Sequence, residues 1–480
     1  MAYINGDSRE QGMLLPDAVE DYIEEDNPTR VILAFVGVLD FEELGFGRAR
    51  PSEIGRPGYD PRMMMAMYLW GYVNGIRSSR KLERECKRNL ELIWLTEGLK
   101  PDFKTIADFR KANGEAIQKT LAEFQMWCRR TGLFGGQLVA VDGTKIKAVN
   151  SKQRNYNHKK LDALMKSEQT RIASYLREMD ELDKEEQTRP ERMRVSKESL
   201  RKKIEKLKKY NERHKSLKKQ LAESSENEIS LTDRDSRRMR TSSGLEVCYN
   251  LQTVVDAKHK LIVVHEVSNA SGDQGKLYDM AVRAKEELAA EELSVVADAA
   301  YFSQSDMKRC EEENITTYIP VPSFGNPKEG TRFSRDVFQY DQQRDIYICP
   351  QGQELKLTST TQRNDKQINY YETSACHGCP IRKQCTTSKN GRRIKRWVDE
   401  AVTDRLKQRL RDEPEMIPKR KTIVEHPYGT IKRAMNQGYF LLKGLRKVAI
   451  EANLTVLAYN MKRAISILGV VAMTDSLELK

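Results

Sequence analysis

The stretch GGQLVAVDGTKIKAV, residues 135–149, decides the fold predicted for this chain. Glycines bound it and β-branched residues fill it, which is typical of a β-strand. Asp142 follows its apolar half, so we expect this carboxylate at the end of the strand. Strand ends are where α/β sheets place ligand-binding groups, because side chains there project into the crevice left by the connections. A turn-forming aspartate at a strand exit is the alternative interpretation.

Four more strands are predicted downstream: EVCYNLQTVVDA (246–257), HKLIVVHEV (259–267), LSVVADAAY (293–301) and TTYIPVP (316–322). A helix-like stretch at about residues 274–292 precedes the fourth strand. Strands and helices mixed in this order predict an α/β core. Asp298 ends the fourth of the five predicted strands, as Asp142 is expected to end the first. A turn-forming aspartate is again the alternative interpretation.

A third acidic residue, Glu425, occurs in KRKTIVEHPYGTIKRAMNQG (419–438). Lys432 follows it by seven residues, which is two helical turns and nearly the same helix face. A carboxylate for a metal ion and an ammonium for a phosphate on one face would suit phosphoryl transfer. Glutamate and lysine also share many solvated helix faces, so this pair alone is weak evidence.

The two aspartates and the glutamate, in this order on an interrupted α/β core, resemble the catalytic triad of the DDE transposases of bacterial insertion sequences. The resemblance covers most of the chain, from residues 58–86 (GYDPRMMMAMYLWGYVNGIRSSRKLEREC) to residues 424–463. The family's Glu-x6-Lys motif matches Glu425 and Lys432. The tyrosine and arginine that precede this glutamate in the family are replaced here by Pro418 and Lys421, so the chain departs from the upstream half of the family's motif.

This resemblance implies an RNase H-like mixed sheet in which Asp142, Asp298 and Glu425 are catalytic and hold two Mg²⁺ ions, with Mn²⁺ as a substitute. Carboxylates are needed because a DNA phosphodiester is anionic and repels an attacking hydroxide. Two ions ~3.5–4 Å apart can activate the nucleophile and neutralise charge at the phosphorus. Lys432 would hold a phosphate oxygen, and Arg433 would bind DNA farther from the reacting phosphate.

The predicted function is that of a transposase that binds the ends of its insertion sequence, cleaves there and joins the ends to target DNA. The resemblance also implies a homodimer on DNA and a cytoplasmic, nucleoid-associated location in a bacterium. Two alternatives remain open. One is a DNA-binding protein that kept the fold and lost activity, and the other is a metal-dependent nuclease that cannot join strands.

The chain divides into four predicted parts. Residues 1–134 form an all-α N-terminal domain, which would bind DNA or be an ordinary helical domain. Residues 135–322 and 401–480 form the catalytic core. Residues 157–235 and 323–400 are insertions into this core.

The first insertion has two series of mainly apolar residues three and four apart, which predict an antiparallel helical hairpin with a coiled-coil seam and a Pro-containing turn near Pro190. The first series is Leu161, Met165, Glu168, Ile172, Tyr175, Met179 and Leu182, and the second is Leu200, Ile204, Leu207, His214 and Leu221. Such a narrow seam buries little surface, so an interaction role and a purely solvated hairpin both remain open.

The second insertion contains four of the eight cysteines: Cys349, Cys376, Cys379 and Cys385. A Cys-x2-Cys pair flanked by two further thiols fits a tetrahedral structural Zn²⁺ site, since four thiolates leave no open position for a substrate. His377 is a substitute ligand in this hypothesis, and four reduced core cysteines are the alternative.

Composition excludes two broad classes. No apolar run approaches the ~20 residues that span a bilayer, and the N-terminal MAYINGDSREQG lacks a secretory signal, so membrane and secreted proteins are not expected. Lysine and arginine number 83 against 70 aspartate and glutamate, which gives a net charge of +13. This excess favours a polyanionic partner such as DNA.

Overall fold

A computed structural model describes residues 18–51, 57–185, 190–322, 332–363 and 366–478. The N-terminal segment used to exclude a secretory signal lies outside the described residues. So do residues 323–331, which begin the Cys-rich insertion, and residues 186–189, where the turn of the hairpin was predicted.

The described strands, in chain order, are β1 (Leu138–Lys147), β2 (Asn155–Asn157), β3 (Glu228–Ser230), β4 (Arg237–Thr241), β5 (Gly244–Asp256), β6 (Ile262–Ser268), β7 (Leu293–Val296), β8 (Ile315–Tyr318), β9 (Gln339–Asp341), β10 (Ile346–Ile348), β11 (Glu354–Arg363), β12 (Lys366–Glu372) and β13 (Ile394–Trp397).

The described α-helices are α1 (Pro28–Gly37), α2 (Pro61–Val73), α3 (Ser79–Glu85), α4 (Leu90–Leu95), α5 (Phe103–Ala112), α6 (Gly114–Arg130), α7 (His158–Glu185), α8 (Pro190–Glu223), α9 (Leu277–Leu288), α10 (Gln304–Glu312), α11 (Arg382–Cys385), α12 (Ala401–Asp412), α13 (Met416–Gly429), α14 (Leu445–Leu468) and α15 (Val470–Glu478). Short 3₁₀ turns lie at Val19–Tyr22, Lys152–Arg154, Ala299–Tyr301, Arg335–Val337 and Ser374–Gly378, and a π-helical turn lies at Thr430–Ala434.

The central sheet is mixed. Strand β5 pairs antiparallel with β1 along one edge. Along its other edge β5 pairs antiparallel with two strands in succession, first β4 and then β6. On the far side of β1, β7 and β8 continue the sheet in parallel. The prediction of a mixed α/β protein is therefore confirmed.

Helices cover both faces of this sheet. On one face, Val139 and Val141 of β1 share a hydrophobic core with α9, α10 and α12. On the other, Ala140 belongs to a larger core that contains α1, α2, α6 and α14. The alternation follows from the two-residue period of a strand. The helices of the first 134 residues thus pack on the same core as the sheet.

The first insertion is a pair of long helices, α7 and α8, which leave the core through the two-stranded ribbon of β2 and β3. Leu200, Ile204 and Leu207 are buried in the seam between the helices. A polar layer interrupts the seam, where His214 Nδ1 lies 2.9 Å from Glu168 Oε1. Asn211 donates to the other oxygen of Glu168 at 3.2 Å.

The second insertion contains an antiparallel sheet of its own, ordered β13-β12-β11-β10-β9. Its small core consists of Phe338, Tyr347, Leu355, Tyr371 and Ile394. Cys349 and Cys385 pack against this core.

Among the described residues, no single helix is long and apolar enough to cross a membrane. Helices α14 and α15 would reach that length only together, and they bend by 110° at the break between them. Most of α14 is buried in the core, from Val448 to Ala464.

Candidate active site

Asp142 lies in the middle of β1, so the expectation that it ends the strand is wrong. Strand β1 continues to Lys147 because β5 pairs with it over this whole length. Its parallel partner β7, by contrast, pairs only with Leu138 to Ala140. Asp142 therefore lies just past the end of the parallel pairing, where the sheet opens on the β7 side.

Asp298 follows β7 by two residues and reaches the same opening. Its side chain caps the short 3₁₀ turn Ala299–Tyr301, with Oδ1 accepting from the Ala300 N–H at 2.9 Å. Its negative charge raises the pKa of Asp142, so the two carboxylates are electrostatic neighbours. The topology thus brings together two aspartates that are far apart in the sequence.

The electrostatics of Asp142 are unusual for an aspartate. Its side chain is only 16% exposed. Its pKa is raised from 3.8 to about 6, mainly by burial and in smaller part by the charges of Asp298 and Asp273. Arg420 and the Gly143 N–H act in the opposite direction, with Arg420 Nη1 2.5 Å from Oδ2 and the Gly143 N–H donating to Oδ1 at 2.7 Å. A partly desolvated carboxylate beside like charges is the environment that a bound cation relieves.

Two residues of α13 hold Asp142, and neither was predicted from the sequence. Arg420 supplies the ion pair, and the Tyr428 hydroxyl donates to the Asp142 backbone carbonyl at 2.7 Å. That hydroxyl is also 2.8 Å from Thr253 Oγ1. Arg420 stands next to Lys421, the position at which the family has its arginine, and this adjacency is the one signal that could have identified it.

A third aspartate, Asp273, lies beside the site in the loop before α9. It accepts hydrogen bonds from Asn250 Nδ2 at 2.7 Å, from Gln252 Nε2 at 2.5 Å and from Lys145 Nζ at 3.2 Å. This polar cluster packs directly on Gly143, where an added Cβ would lie 2.6 Å from Gln252 Nε2. The glycine after Asp142 is therefore required by a close approach of side chains, and no periodic pattern in the loop pointed to Asp273.

Lys432 lies within electrostatic range of Asp142. It is half-buried, and burial lowers the pKa of its ammonium, while negative charge on Cys248 and on Asp142 raises it. Helix α13 ends at Gly429, and a π-helical turn continues the chain through Lys432. Glu425 and Lys432 therefore do not lie on one regular α-helix, contrary to the prediction. Such turns frequently accompany functional sites.

The Glu425 side chain is exposed on α13 and makes no hydrogen bond or ion pair in the described part of the chain. Arg433 is exposed as well. Across the described ranges, no three carboxylate, imidazole or thiol side chains stand close enough to hold a metal ion already. The structure therefore brings Asp142 and Asp298 together, with Lys432 in electrostatic range of Asp142, and it leaves the Glu425 side chain exposed.

The four predicted zinc ligands line one cavity of about 30 Å³ in the second insertion, together with Phe338, Leu355, Ile381 and Arg392 among others. Burial raises the pKa of the Cys385 thiol, and negative charge on the three other cysteines would raise it further. Gly391 packs against Cys376 at a φ of +91°, and a Cβ there would lie 2.7 Å from Cys376 Cβ. The four thiols are neighbours in space, although they are not positioned as a finished metal centre.

Fold and site together define a mixed α/β protein with acidic side chains gathered where its sheet opens. Residues 348–465 match the family model described as a transposase DDE domain, and residues 17–112 match the one described as a transposase domain (DUF772). No curated protein and no solved structure matches the chain. These two matches indicate an insertion-sequence DDE transposase, and a transposase family implies DNA as the partner.

The first match includes Glu425, Lys432 and all four clustered cysteines. Asp142 and Asp298 lie outside both matched segments. Their assignment therefore rests on the sheet topology and on their mutual electrostatic effect.

The raised pKa of Asp142 leads to a stability prediction for the metal-free protein. We expect Asp142→Asn, which mimics the protonated acid, to raise the free energy of unfolding at pH 7.5 by about 3 kcal/mol. The folded protein disfavours the ionised carboxylate of Asp142. The resulting loss of folding stability is fully present above pH 6 and disappears as the pH falls below 3.8. The gain should be roughly half as large at pH 5.

Urea denaturation at the two pH values measures this effect. Asp279→Asn, at an exposed site in the first turn of α9, is the matched control and should change stability little. A loss of stability in the Asp142→Asn protein at pH 7.5 would show that its ion pair with Arg420 outweighs the cost of burial.

Proposed function

We propose that this transposase binds the ends of its insertion sequence, cleaves the DNA there and joins the freed ends to target DNA, with Mg²⁺ or Mn²⁺ as cofactor. The observation that carries the proposal is the convergence of Asp142 and Asp298, from separate strands, on one opening of the sheet. We also propose that it acts as a homodimer on DNA in the bacterial cytoplasm, associated with the nucleoid.

An RNase H-like core is the fold that we propose for the catalytic part. Three features of the topology support it. Strands β6, β5 and β1 form an antiparallel meander, and β7 and β8 extend it in parallel. Asp142 lies on the central strand β1, and Asp298 follows the neighbouring strand β7. Helix α13, which carries Glu425, packs across the same strands through Arg420 and Tyr428.

The residues present fit divalent metal in part. Asp142 and Asp298 offer the oxygen ligands that Mg²⁺ prefers, and their mutual repulsion favours a cation between them. The third ligand that we propose, Glu425, would have to turn inward from its exposed position. Binding at Asp142 Oδ2 would also compete with Arg420. When bound, the metal ions supply charge neutralisation at the phosphate and activation of the attacking oxygen.

The protein's own groups have separate tasks in this proposal. Tyr428 and the Gly143 N–H fix the backbone and side chain of Asp142, so the carboxylate is already oriented before DNA binds. The Lys432 ammonium, half-buried beside Asp142, would hold a non-bridging oxygen of the scissile phosphate. Arg433 and the basic residues of the N-terminal helices would hold DNA farther away through non-specific contacts.

The four cysteines of the second insertion are proposed to bind one structural Zn²⁺. Their donor type fits, since soft thiolates favour zinc over magnesium. Their convergence on one small cavity supports the proposal.

The direct test incubates purified protein with DNA that carries the element's ends and with target DNA, in Mg²⁺. We expect nicking that leaves a 3′-OH, followed by joining of that end to the target. Binding without any cleavage would favour the inactive DNA-binding alternative. Cleavage without joining would favour the nuclease.

We expect Lys432→Ala to slow single-turnover cleavage about 100-fold while it weakens DNA binding much less, because the charge that Lys432 opposes grows at the reacting phosphate. Arg433→Ala is the matched control on the adjacent exposed residue, and it should weaken binding slightly and leave cleavage at saturating protein unchanged. Unchanged cleavage by Lys432→Ala protein at saturation would remove this lysine from the active site.

A further inference from the structure

The two helices of the hairpin insertion carry very different charge. Helix α8 has 13 lysines and arginines against 5 acidic residues, whereas α7 has 6 against 7. The excess on α8 is thus eight positive charges, compared with a net charge of +13 for the whole chain. A solvated hairpin without a partner gives no reason for such an imbalance between its two helices.

The basic residues of α8 are ordered in space. Arg201, Lys208 and Lys215 recur every seven residues, and Lys219 follows one turn later, so these four side chains form a single exposed row, here called the α8 stripe. Residues two turns apart lie nearly on one face, and the row extends over about 27 Å at 1.5 Å per residue. Lys202 and Lys209 lie next to it and are exposed as well.

Most of the stripe is electrostatically unsatisfied. In the described part of the chain, Arg201, Lys208 and Lys215 have no carboxylate within ion-pair distance. Glu205 and Glu212 stand four residues after the first two, yet they form no ion pair with them. Lys219 has one weak contact, with Glu223 at 3.9 Å. Exposed helices that serve no partner are commonly laced with such pairs, as Lys202 and Glu198 of α8 are at 2.7 Å, so the lack of pairs at Arg201, Lys208 and Lys215 favours an external anion.

The hairpin holds this stripe in a defined place. At its base, Leu161 packs with Leu217 and Leu221. Asn155 donates to Ser230 Oγ at 3.0 Å across the β2–β3 ribbon. Higher up, the Glu168, Asn211 and His214 layer in the seam fixes the register of the two helices, as single polar layers do in coiled coils.

The chain that leaves the hairpin is fastened to the core as well. Asp233 accepts from the Gly444 N–H at 3.0 Å, and Asp235 accepts from the Leu445 N–H at 2.8 Å, at the start of α14. These contacts join the base of the hairpin to the core that carries Asp142.

We propose that the α8 stripe binds the phosphates of double-stranded DNA at a distance from the cleavage site, so that the insertion acts as an arm that grips the element's end. This inference rests on the proposed function for its partner. A regular row of cations complements the repeating charge of a duplex. An anionic membrane is disfavoured, because amphipathic helices bind membranes through an apolar face and that of α8 is buried in the seam.

The test compares two variants that each lose four positive charges from the hairpin. One is Arg201→Gln, Lys208→Gln, Lys215→Gln and Lys219→Gln in α8, and the matched control is Lys159→Gln, Lys166→Gln, Arg171→Gln and Arg177→Gln at exposed sites of α7. Glutamine keeps the helix propensity, and equal thermal unfolding of the two proteins would confirm that both are folded.

Binding to a duplex of about 40 base pairs that contains the element's end is measured over a salt series. For the α8 variant we expect the slope of log K against log salt to fall by about 3.6, since each phosphate contact contributes about 0.9. Its affinity at low salt should fall at least tenfold, whereas the α7 control should change by less than threefold. Equal slopes for the two variants would overturn the proposal, as would a loss of binding to phosphatidylserine vesicles without any loss of DNA binding.

A shorter duplex separates this inference from the proposed function. If DNA binding by the wild type depends on the stripe but no DNA is ever cleaved, the proposed enzymatic function fails and the stripe remains. A second outcome is that the α8 variant cleaves end DNA normally at saturating protein and yet binds the long duplex no more tightly than the short one. In that case the stripe holds the outer DNA as proposed. A variant that binds the long duplex as tightly as the wild type does would remove the stripe from DNA binding.

Discussion

Replacing Asp142 or Asp298 with asparagine is expected to slow cleavage of end DNA at least about 1000-fold, because each change would remove a proposed ligand of the metal that is to neutralise the reacting phosphate. Binding of the same DNA should change less than threefold, since neither carboxylate is a DNA contact. Single-turnover cleavage in Mg²⁺, alongside a binding titration in Ca²⁺ or without metal, separates the two effects.

Glu425→Gln should have a similar effect if α13 adjusts when metal and DNA bind. This variant matters most, because Glu425 is exposed and does not meet the two aspartates. Asp279→Asn, on the exposed face of α9, is the control and should cleave at the wild-type rate. An Asp298→Asn protein that nicks DNA normally would disprove the assignment of the site.

The second large effect concerns the cysteine cluster. Protein purified without chelators should contain about one Zn²⁺ per chain, and the double variant Cys376→Ser, Cys379→Ser should contain almost none. Structural zinc sites contribute about 10–16 kcal/mol of binding free energy to folding, so loss of the metal should unfold the β9–β13 sheet. Elemental analysis and limited proteolysis of residues 332–400 measure the two consequences.

Cys310→Ala provides the control for this experiment, because Cys310 is buried in the core on α10, away from the cluster. It should keep its zinc and leave the second insertion resistant to protease. Wild-type protein without zinc would identify the four cysteines as ordinary thiols that pack against a small core.

Local patterns in the sequence were sufficient to predict several elements of the fold. The Gly-bounded, β-branched run 135–149 contains β1, and the three- and four-residue spacing of apolar side chains runs along α7 and α8. Both periods are properties of a single element, since each follows from backbone geometry and from which face is buried. Asp298 was also located correctly at the exit of its strand.

The surroundings of Asp142 depended on pairing between distant segments. That residue is mid-strand because β5 pairs with all of β1 while β7 stops at Ala140, and no local pattern reveals where a neighbouring strand ends. Strand registers of this kind are set by contacts across more than 100 residues. The same long-range pairing brought Asp273 and Lys145 to the site.

The sequence by itself thus determined the α/β class, the order of the acidic residues and the two helices of the hairpin, because periodicity and motif spacing are local. Only the tertiary structure decided that Arg420 and Tyr428 hold Asp142 while Glu425 faces solvent. All three residues lie on α13, and the packing of that helix on β1 selects which of its faces is buried. The π-helical turn at Thr430–Ala434 likewise places Lys432 through the fit of α13 to the core, which helical spacing alone does not specify.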